Sequence, residues 1–538
     1  MRRLTSSAPL RSRGRIALGA AALLAVSGIG LASNPSIGGP APARAADGEQ
    51  PNIVLIQSDD QTFSQFTRRA MPRTKRLLAS HGTTFTDYIG TTAQCCPSRA
   101  SLLTGQYAHN HGVTSNNIGY GGLIDNGNVL PAWLQRSGYR TAHVGKFMNG
   151  YSATVGDPAA VAPGWDDWQT LFSGSGHYYD YFLSNNGRAV HFGKRNRDFV
   201  TRVLERKAVQ IVKRRMPARR PLYLQLDERA PHLAGGNRPG RCGGIVPEPD
   251  PRDIHRFAGA SVPSRPSFNE RDIRDKPAFL RSAPRLGRHD RGHVKKAWRC
   301  ALASLVGVDR SVSSVYHAVA KTGELDKTVF IFISDNGQFY GEHRVLEGKV
   351  LPYEEALHLP LVIKAPKRYL GPAPRVKKSR RPVGNIDLAP TILDLAHAQP
   401  CPQTEACRTM DGRSLMPLLA SFGGWPRQRG LLTEFRKANA GRYATCQFAG
   451  IRTRSALYVE HSRVVDPRTL HCVSADQRER YDLRKDPFEL HNRCFGGKAA
   501  KCPSDSTQAD LEARLSRLRD CAGIAGRDQR VNGRPFCE

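Results

Sequence analysis

The chain has 538 residues, 39% of them hydrophobic, and 80 lysines and arginines against 47 acidic residues give it a net charge of +33. That length exceeds one small core and fits a large domain with a smaller one, and no apolar run beyond the N-terminal region is long enough for a membrane span. The charge favours polyanionic partners or reflects plain arginine bias; no recognition motif accompanies it, so nucleic acid is not expected.

The N-terminal region reads as an export signal. Arg2, Arg3, Arg11, Arg13 and Arg15 precede or adjoin the apolar run Ile16–Ala32, and Ala43-Arg44-Ala45 offers a small-residue cleavage site. Removal of residues 1–45 is expected to leave a secreted, periplasmic or extracellular chain with no stable membrane anchor. Without the six arginines of that segment the balance is still +27. An oxidising compartment favours disulfides. Of the 12 cysteines, Cys95 and Cys96 are adjacent, and the other ten pair by proximity as Cys242–Cys300, Cys401–Cys407, Cys446–Cys472, Cys494–Cys502 and Cys521–Cys537.

In chain order, apolar β-rich runs end in polar residues. Asn52–Ser58 runs into Asp59-Asp60, Tyr139–Gly145 into Lys146, Pro221–Asp227 toward His232, and Thr328–Ser334 into Asp335-Asn336. Such runs suit strands buried on both faces of a parallel sheet. Helical patterns over 71–82, 128–138 and 301–323 alternate with them, which argues an α/β domain. Ligands of open α/β sheets bind beyond the carboxyl ends of the strands, so the four polar endings are expected along one edge. The stretch 187–290 is rich in Arg, Pro and Gly and reads as loops around the strand before His232. Residues 385–398 read as a late helix, and a boundary is expected near 423–430. Beyond it come a short antiparallel sheet and an amphipathic helix over 507–523. The expected domains are 46–425 and 426–538.

Asp59-Asp60 and Asp335-Asn336 place oxygen donors at two strand ends, a set that suits a hard divalent cation; one such pair alone would more simply be a solvated turn. In QCCPSRASLLTG, Pro97 suits a first helical turn and Gly105 a helix end. Cys95 then lies at a helix N-terminus, where free N–H groups and the dipole favour an anion. Arg99 adds a bidentate charge one turn on. This suits a nucleophile acting on an anionic ester, while position alone leaves a structural disulfide or an ordinary thiol open.

The stretch from Cys95 to Gly105 resembles the signature of the type I sulfatases, and SDDQ (58–61), GKFMNGY (145–151), APH (230–232), SDNG (334–337) and YDLRKDPFELHN (481–492) stand in that family's order. The resemblance runs from about Asn52 to Asn492 and is nearest to N-acetylglucosamine-6-sulfatases, heparan 6-O-endosulfatases and arylsulfatases. It implies an alkaline-phosphatase-like α/β fold: a large mixed, mostly parallel sheet flanked by helices, with a smaller C-terminal antiparallel-sheet domain. It further implies that a formylglycine-generating enzyme oxidises Cys95 to Cα-formylglycine (3-oxoalanine), whose hydrate is the nucleophile. Asp59, Asp60, residue 95, Asp335 and Asn336 would hold Ca2+, with Mg2+ as the alternative. Arg99 would position the formylglycine, while Lys146, His232 and Lys349 would contact sulfate oxygens or the leaving group.

One departure from the family stands out: Met148 occupies a position where many sulfatases carry a histidine. His143 and His343 are candidates for the missing base or for second-layer support, and Asn149 is a candidate substrate contact; His109 and His111 have weaker claims. The expected activity is hydrolysis of an aryl sulfate or a sulfated sugar, with a polyanionic sulfated glycan attractive as substrate. Two alternatives stand beside it: a phosphonate monoester or phosphodiester hydrolase of the same superfamily, and an inactive sulfated-glycan-binding protein.

Overall fold

The run NIVLIQS forms strand β1 (Asn52–Ser58), with all seven residues buried. Its alternate side chains enter different cores: Val54 and Ile56 pack with one hydrophobic cluster, Ile53 and Leu55 with another. A strand buried on both faces needs no polar alternation, which is why its sequence is continuously apolar. The computed structural model describes residues 49–538 apart from 174–176, 235–241, 402–406, 422, 438–442 and 467. The expected export signal at 1–45 lies outside the described residues.

The strands that follow are β2 (Thr83–Ile89), β3 (Arg140–Lys146), β4 (Asp167–Ser173), β5 (Tyr181–Asn185), β6 (Arg188–Phe192), β7 (Leu222–Asp227), β8 (Thr328–Ser334), β9 (His358–Lys364) and the short β10 (Lys378–Ser379) and β11 (Val383–Gly384). They form one sheet in the order β10-β2-β9-β8-β1-β7-β3-β4-β5-β6, with β11 also on β2. The centre, β8-β1-β7-β3-β4, is parallel, while β9 and β5 run antiparallel to their neighbours. Register aligns the carboxyl ends: Ser58 pairs with Ser334, Gln57 with Asp227, and Gly145 with Asp227. Asp59, Lys146, Asp227 and Asp335 therefore emerge together.

One face of the sheet carries α1 (Cys95–Thr104), α2 (Leu130–Arg136) and α5 (Leu388–Ala396). The other carries α3 (Val200–Arg215) and the 34-residue α4 (Arg288–Lys321). Helix α3 corrects the expectation of loops throughout 187–290. Its Val200, Val203, Leu204, Ala208, Ile211 and Val212 are buried at helical spacing, a stripe masked in the sequence by the arginines and lysines between them. The expected helix over 71–82 is also modified, since Pro72–Thr74 leads into a wide π-type turn over Lys75–Ala79.

The last part forms the antiparallel sheet β12 (Gly430–Arg436), β13 (Thr445–Thr453), β14 (Ala456–Val465) and β15 (Cys472–Asp482), followed by α6 (Ser506–Leu518). All five disulfides expected from proximity are formed, and Cys95 and Cys96 are free and buried. No described helix is long and apolar enough to cross a membrane.

A buried ion pair ties β12 to the turn before α5. Arg429 donates to both Asp387 oxygens at 2.5 and 2.7 Å and also pairs with Glu538; neither the Arg429 nor the Asp387 side chain is exposed. Removing one partner of such a pair leaves the other charged and unsolvated. Arg429→Met is expected to destabilise the protein by roughly 3–5 kcal/mol, read from equilibrium denaturation; a wild-type midpoint would refute the linkage.

Candidate active site

Helix α1 begins at Cys95, with Gln94 as an extended N-cap and Gly105 in the left-handed conformation (φ 68°) at its end. All ten helical residues are buried, which a helix this poor in apolar side chains requires only if its polar groups have partners. They do. Cys96 N–H donates to Asn116 Oδ1 at 2.9 Å, and Ser101 Oγ meets His111 Nε2 at 3.1 Å. Arg99 donates to Asp335 from Nε (3.1 Å) and Nη2 (2.8 Å), and from Nη1 to the Lys146 carbonyl (2.6 Å). Its Nη1 also lies 3.2 Å from Asp227. One guanidinium thus joins α1 to the ends of β3, β7 and β8.

Cys95 Sγ lies among the charged groups at the strand ends. It is 3.4 Å from Asp59 Oδ1, 3.3 Å from Lys146 Nζ and 3.0 Å from Lys349 Nζ. Lys146 also donates to Asp59 at 2.5 Å, and Lys349 to Asp60. Lys349 is delivered by a loop with Gly348 at φ 125° and Val350 at φ 92°. A β-branched residue there is strained, and such strain persists where the surroundings hold it for a purpose. Asp60 has φ 67° and accepts from Asn336 Nδ2 at 2.6 Å, while its own N–H donates to Asp335 Oδ1 at 3.1 Å. His232 follows β7 in a turn anchored by Tyr178, whose hydroxyl donates to the His232 carbonyl at 2.6 Å. Its Nε2 lies 3.7 Å from Asp60.

Among the site residues named from the sequence, Asp59, Asp60, Cys95, Arg99, Lys146, His232, Asp335, Asn336 and Lys349 come together in this way. His143 stands behind them: it meets Asp227 Oδ2 at 3.1 Å and Thr170 at 2.6 Å, and so orients the carboxylate beside Arg99. Asn149 is exposed at the rim, with its N–H on Cys96 Sγ at 3.1 Å. The structure does not bring His343 to Cys95, because its ring is taken up by Glu270 (2.6 Å) and Glu355 (3.7 Å). His109 is held by Glu434 and the Cys521 carbonyl, and Met148 is core. Sequence reasoning missed Asp227 and Arg229. The latter is buried, 3.9 Å from Asp59 and hydrogen-bonded to His232 Nδ1 at 3.0 Å. Its only trace in the sequence is the unusual charge of DERAPHL.

The charges set one another. Burial by itself raises Asp59, but Lys146, His232, Arg99 and Lys349 outweigh it and hold the carboxyl well below its ordinary value. Burial and Asp59 raise Asp335 to about 6 despite Arg99. Burial lowers Lys349, yet Asp60, the Cys95 thiol and Asp59 more than restore it, so the ammonium persists. Burial and Arg229 push His232 down to about 3. Burial and Asp59 push the Cys95 thiol up to about 12. As the thiolate is the reactive form, burial and Asp59 favour the protonated, less reactive thiol.

A divalent cation fits this donor set. Asp59, Asp60, Cys95 and His232 offer ligand atoms within 4.8 Å of one another, and Asn336 Oδ1 is buried with no partner. An orphaned amide oxygen among carboxylates suits a hard cation.

A large mixed, mostly parallel sheet with helices on both faces and a small antiparallel sheet is the alkaline-phosphatase-like fold. Residues 51–398 match the family described as Sulfatase, and residues 341–520 match the N-sulphoglucosamine sulphohydrolase C-terminal family. The chain belongs to the sulfatase family and is a sulfuric ester hydrolase. It is 31% identical over 521 residues to the arylsulfatase of Volvox carteri, covering 89% of this chain and 76% of that protein. It is 28% identical over 517 residues to the N-acetylglucosamine-6-sulfatase of Homo sapiens, covering 89% and 86%. Among solved structures it resembles BT4656 in complex with its substrate D-glucosamine-2-N,6-O-disulfate (TM-score 0.63, 24% identity, 88% of this chain and 98% of that one). It also resembles the phosphonate monoester hydrolase of Agrobacterium radiobacter (TM-score 0.60, 20% identity, 87% and 94%).

A divalent cation, tested as Ca2+ and as Mg2+, is expected to raise the thermal midpoint of the purified chain, by the equivalent of about 2.7 kcal/mol at a hundredfold excess over Kd. The shift should vanish in Asp60→Ala and in Asn336→Ala; a shift that survives both would place the cation elsewhere.

Proposed function

We propose that the chain is an exported sulfatase that cleaves sulfate from a sulfated sugar, using formylglycine made from Cys95 and a divalent cation held by Asp59, Asp60, Asp335 and Asn336. The observation that carries this reading is the state of Cys95. It sits at the start of a buried helix between two ammonium groups, positioned to meet an anion, yet as a thiol it stays protonated. Position without reactivity calls for conversion of the side chain. Formylglycine supplies, as its hydrate, an oxygen nucleophile with a second hydroxyl that allows the aldehyde to be restored. The cation, Ca2+ or Mg2+, supplies polarisation of the sulfuryl oxygens.

The chain's own residues account for the rest. Arg99, fixed by Asp335, Asp227 and the Lys146 carbonyl, holds the helix start and its residue 95 in place. Lys146, at the end of β3, and Lys349, in the loop after β8, reach the nucleophile position and offset negative charge that spreads over the sulfuryl oxygens. Lys349 keeps its proton beside Asp60 and can donate it to the leaving oxygen, while the neutral imidazole of His232 binds rather than protonates. Met148 offers no base, and neither His143 nor His343 reaches Cys95 through a hydrogen bond or ion pair. Asp59 is the carboxylate nearest residue 95, at 3.4 Å from Sγ, and it is paired with Lys146.

Secretion is supported by five disulfides, which persist in oxidising compartments, and by relatives such as the Drosophila melanogaster extracellular sulfatase SULF-1 homolog. That relative is 31% identical over 387 residues, covering 70% of this chain and 32% of its own length. A sulfated-sugar substrate is supported by the N-acetylglucosamine-6-sulfatases and by the glucosamine disulfate bound to BT4656. The phosphonate monoester hydrolase fold gives a second reading, with the same nucleophile acting on phosphorus.

Mass spectrometry of the Cys95 peptide from native-host protein should show sulfur and two hydrogens replaced by one oxygen; thiol or disulfide alone would rule the mechanism out. Side-by-side turnover of 4-nitrophenyl sulfate and phosphate esters should favour sulfate, and dominant phosphodiesterase activity would select the second reading. Lys349→Ala should lower kcat by about 10²–10³ while leaving the mass change at Cys95 intact.

A further inference from the structure

Beside the nucleophile lies a cleft that the chemistry above does not use. It measures about 490 Å³ and is walled on one side by residues of the loop 112–118 and on the other by Arg436, Lys437 and Arg463 of the small sheet. The loop is latched to the start of α1: Asn116 Oδ1 accepts from Cys96 N–H, and Asn116 N–H donates to Gln94 Oε1, each at 2.9 Å. Asn117, the next residue, lines the cleft. Thr114 accepts from the Arg436 N–H at 3.4 Å, which closes the loop onto β12. The cleft therefore opens within two residues of the helix turn that carries Cys95.

Its charge is one-sided. Strand register aligns Arg436 with Gln447 and Gln447 with Arg463, so the two arginines stand in one row across β12, β13 and β14. Strand spacing puts them about 10 Å apart. Lys437 adjoins Arg436, and no acidic residue is among the described residues that line the cleft. Some cations elsewhere are tied down: Arg202, Arg252 and Arg310 all pair with Asp250. Neither Arg436 nor Lys437 pairs with a carboxylate among the described residues, and Arg463 donates only to the Cys472 carbonyl at 3.2 Å. A concave site lined by one sign of charge concentrates its field and draws counter-ions. A neighbouring cavity of about 650 Å³ shares Thr114 and Arg436 but also holds Glu434, Glu460 and Asp476, so its attraction for an anion is weaker. Ile118, 49% exposed at its rim, offers an apolar patch of the kind a sugar's C–H face can cover.

We infer that Arg436, Lys437 and Arg463 form a second anion subsite, which takes a sulfate or carboxylate group on a sugar unit adjoining the one being desulfated. The inference rests on the sulfatase reading above and makes the substrate an oligosaccharide with anions on more than one unit.

The test uses the full chain, a heparin-derived tetrasaccharide and 4-nitrophenyl sulfate. The triple variant R436Q/K437Q/R463Q is compared with R206Q/K213Q/K321Q, which removes equal charge from a cavity between α3 and α4. The cleft variant should raise Kd for the tetrasaccharide about tenfold or more, equivalent to roughly 1.4 kcal/mol, and flatten its salt dependence. Where the tetrasaccharide is cleaved, the ratio of its kcat/KM to that of the aryl sulfate should fall alongside. The control variant should change Kd less than about twofold, the scale of isolated surface charges. Equal weakening by both variants, no weakening by the first, or no binding by the wild type would overturn the subsite. Wild-type protein that cleaves neither compound yet binds the tetrasaccharide through the cleft would keep the subsite and remove the sulfatase reading.

Discussion

The site depends on one buried cation. Arg99 has 2% of its side chain exposed and is held between Asp335 and Asp227. A guanidinium at such depth is tolerable only when its donors are all spoken for. Three strand ends supply the acceptors, which fixes where α1 can dock and, with it, where residue 95 points. The dependence is mutual: without Arg99, Asp335 and Asp227 would face each other across a dry gap. The sheet edge and the helix start are therefore one electrostatic unit.

Around that unit the positive and negative groups balance. Lys146, Lys349, Arg99 and Arg229 stand against Asp59, Asp60, Asp227 and Asp335, so a bound divalent cation would make the sum positive. A positive sum of this kind is costly in an empty interior and useful in a site that must strip an anionic ester of its water. The orphaned Asn336 Oδ1 and the left-handed Asp60 belong to the same compromise. Backbone and side chains there are arranged for a guest, and their own hydrogen-bonding is left incomplete.

Much of this was legible before any coordinates. The four apolar runs ended in polar residues because strands buried on both faces show no alternation, and their parallel register makes those endings converge. The signature around Cys95 carried the helix start, Arg99 and the family resemblance together. Local cysteine spacing was enough to find all five bridges. What stayed hidden was contextual. Helix α3 was masked by its own arginines and lysines. Arg229 and Asp227 look like ordinary strand-end charges until their burial is known. His343 resembles a site residue in sequence because it follows Asp335 so closely, but the loop carries it into a separate pocket of glutamates.

The disulfide pattern has a temporal consequence. Every bridge joins a cysteine to the next one along the chain among those that pair, at separations of 58, 6, 26, 8 and 16 residues. No bridge encloses or crosses another. A chain that meets an oxidant from its N-terminus onward would reach the native set by joining each newly arrived thiol to the one before it, with no reshuffling. The first pair in that queue, Cys95 and Cys96, is the one left unjoined, as the proposed use of residue 95 requires. Burial of both thiols in the first turn of α1 keeps them out of the queue once the helix has docked, so the order of docking and oxidation decides whether residue 95 survives to be used.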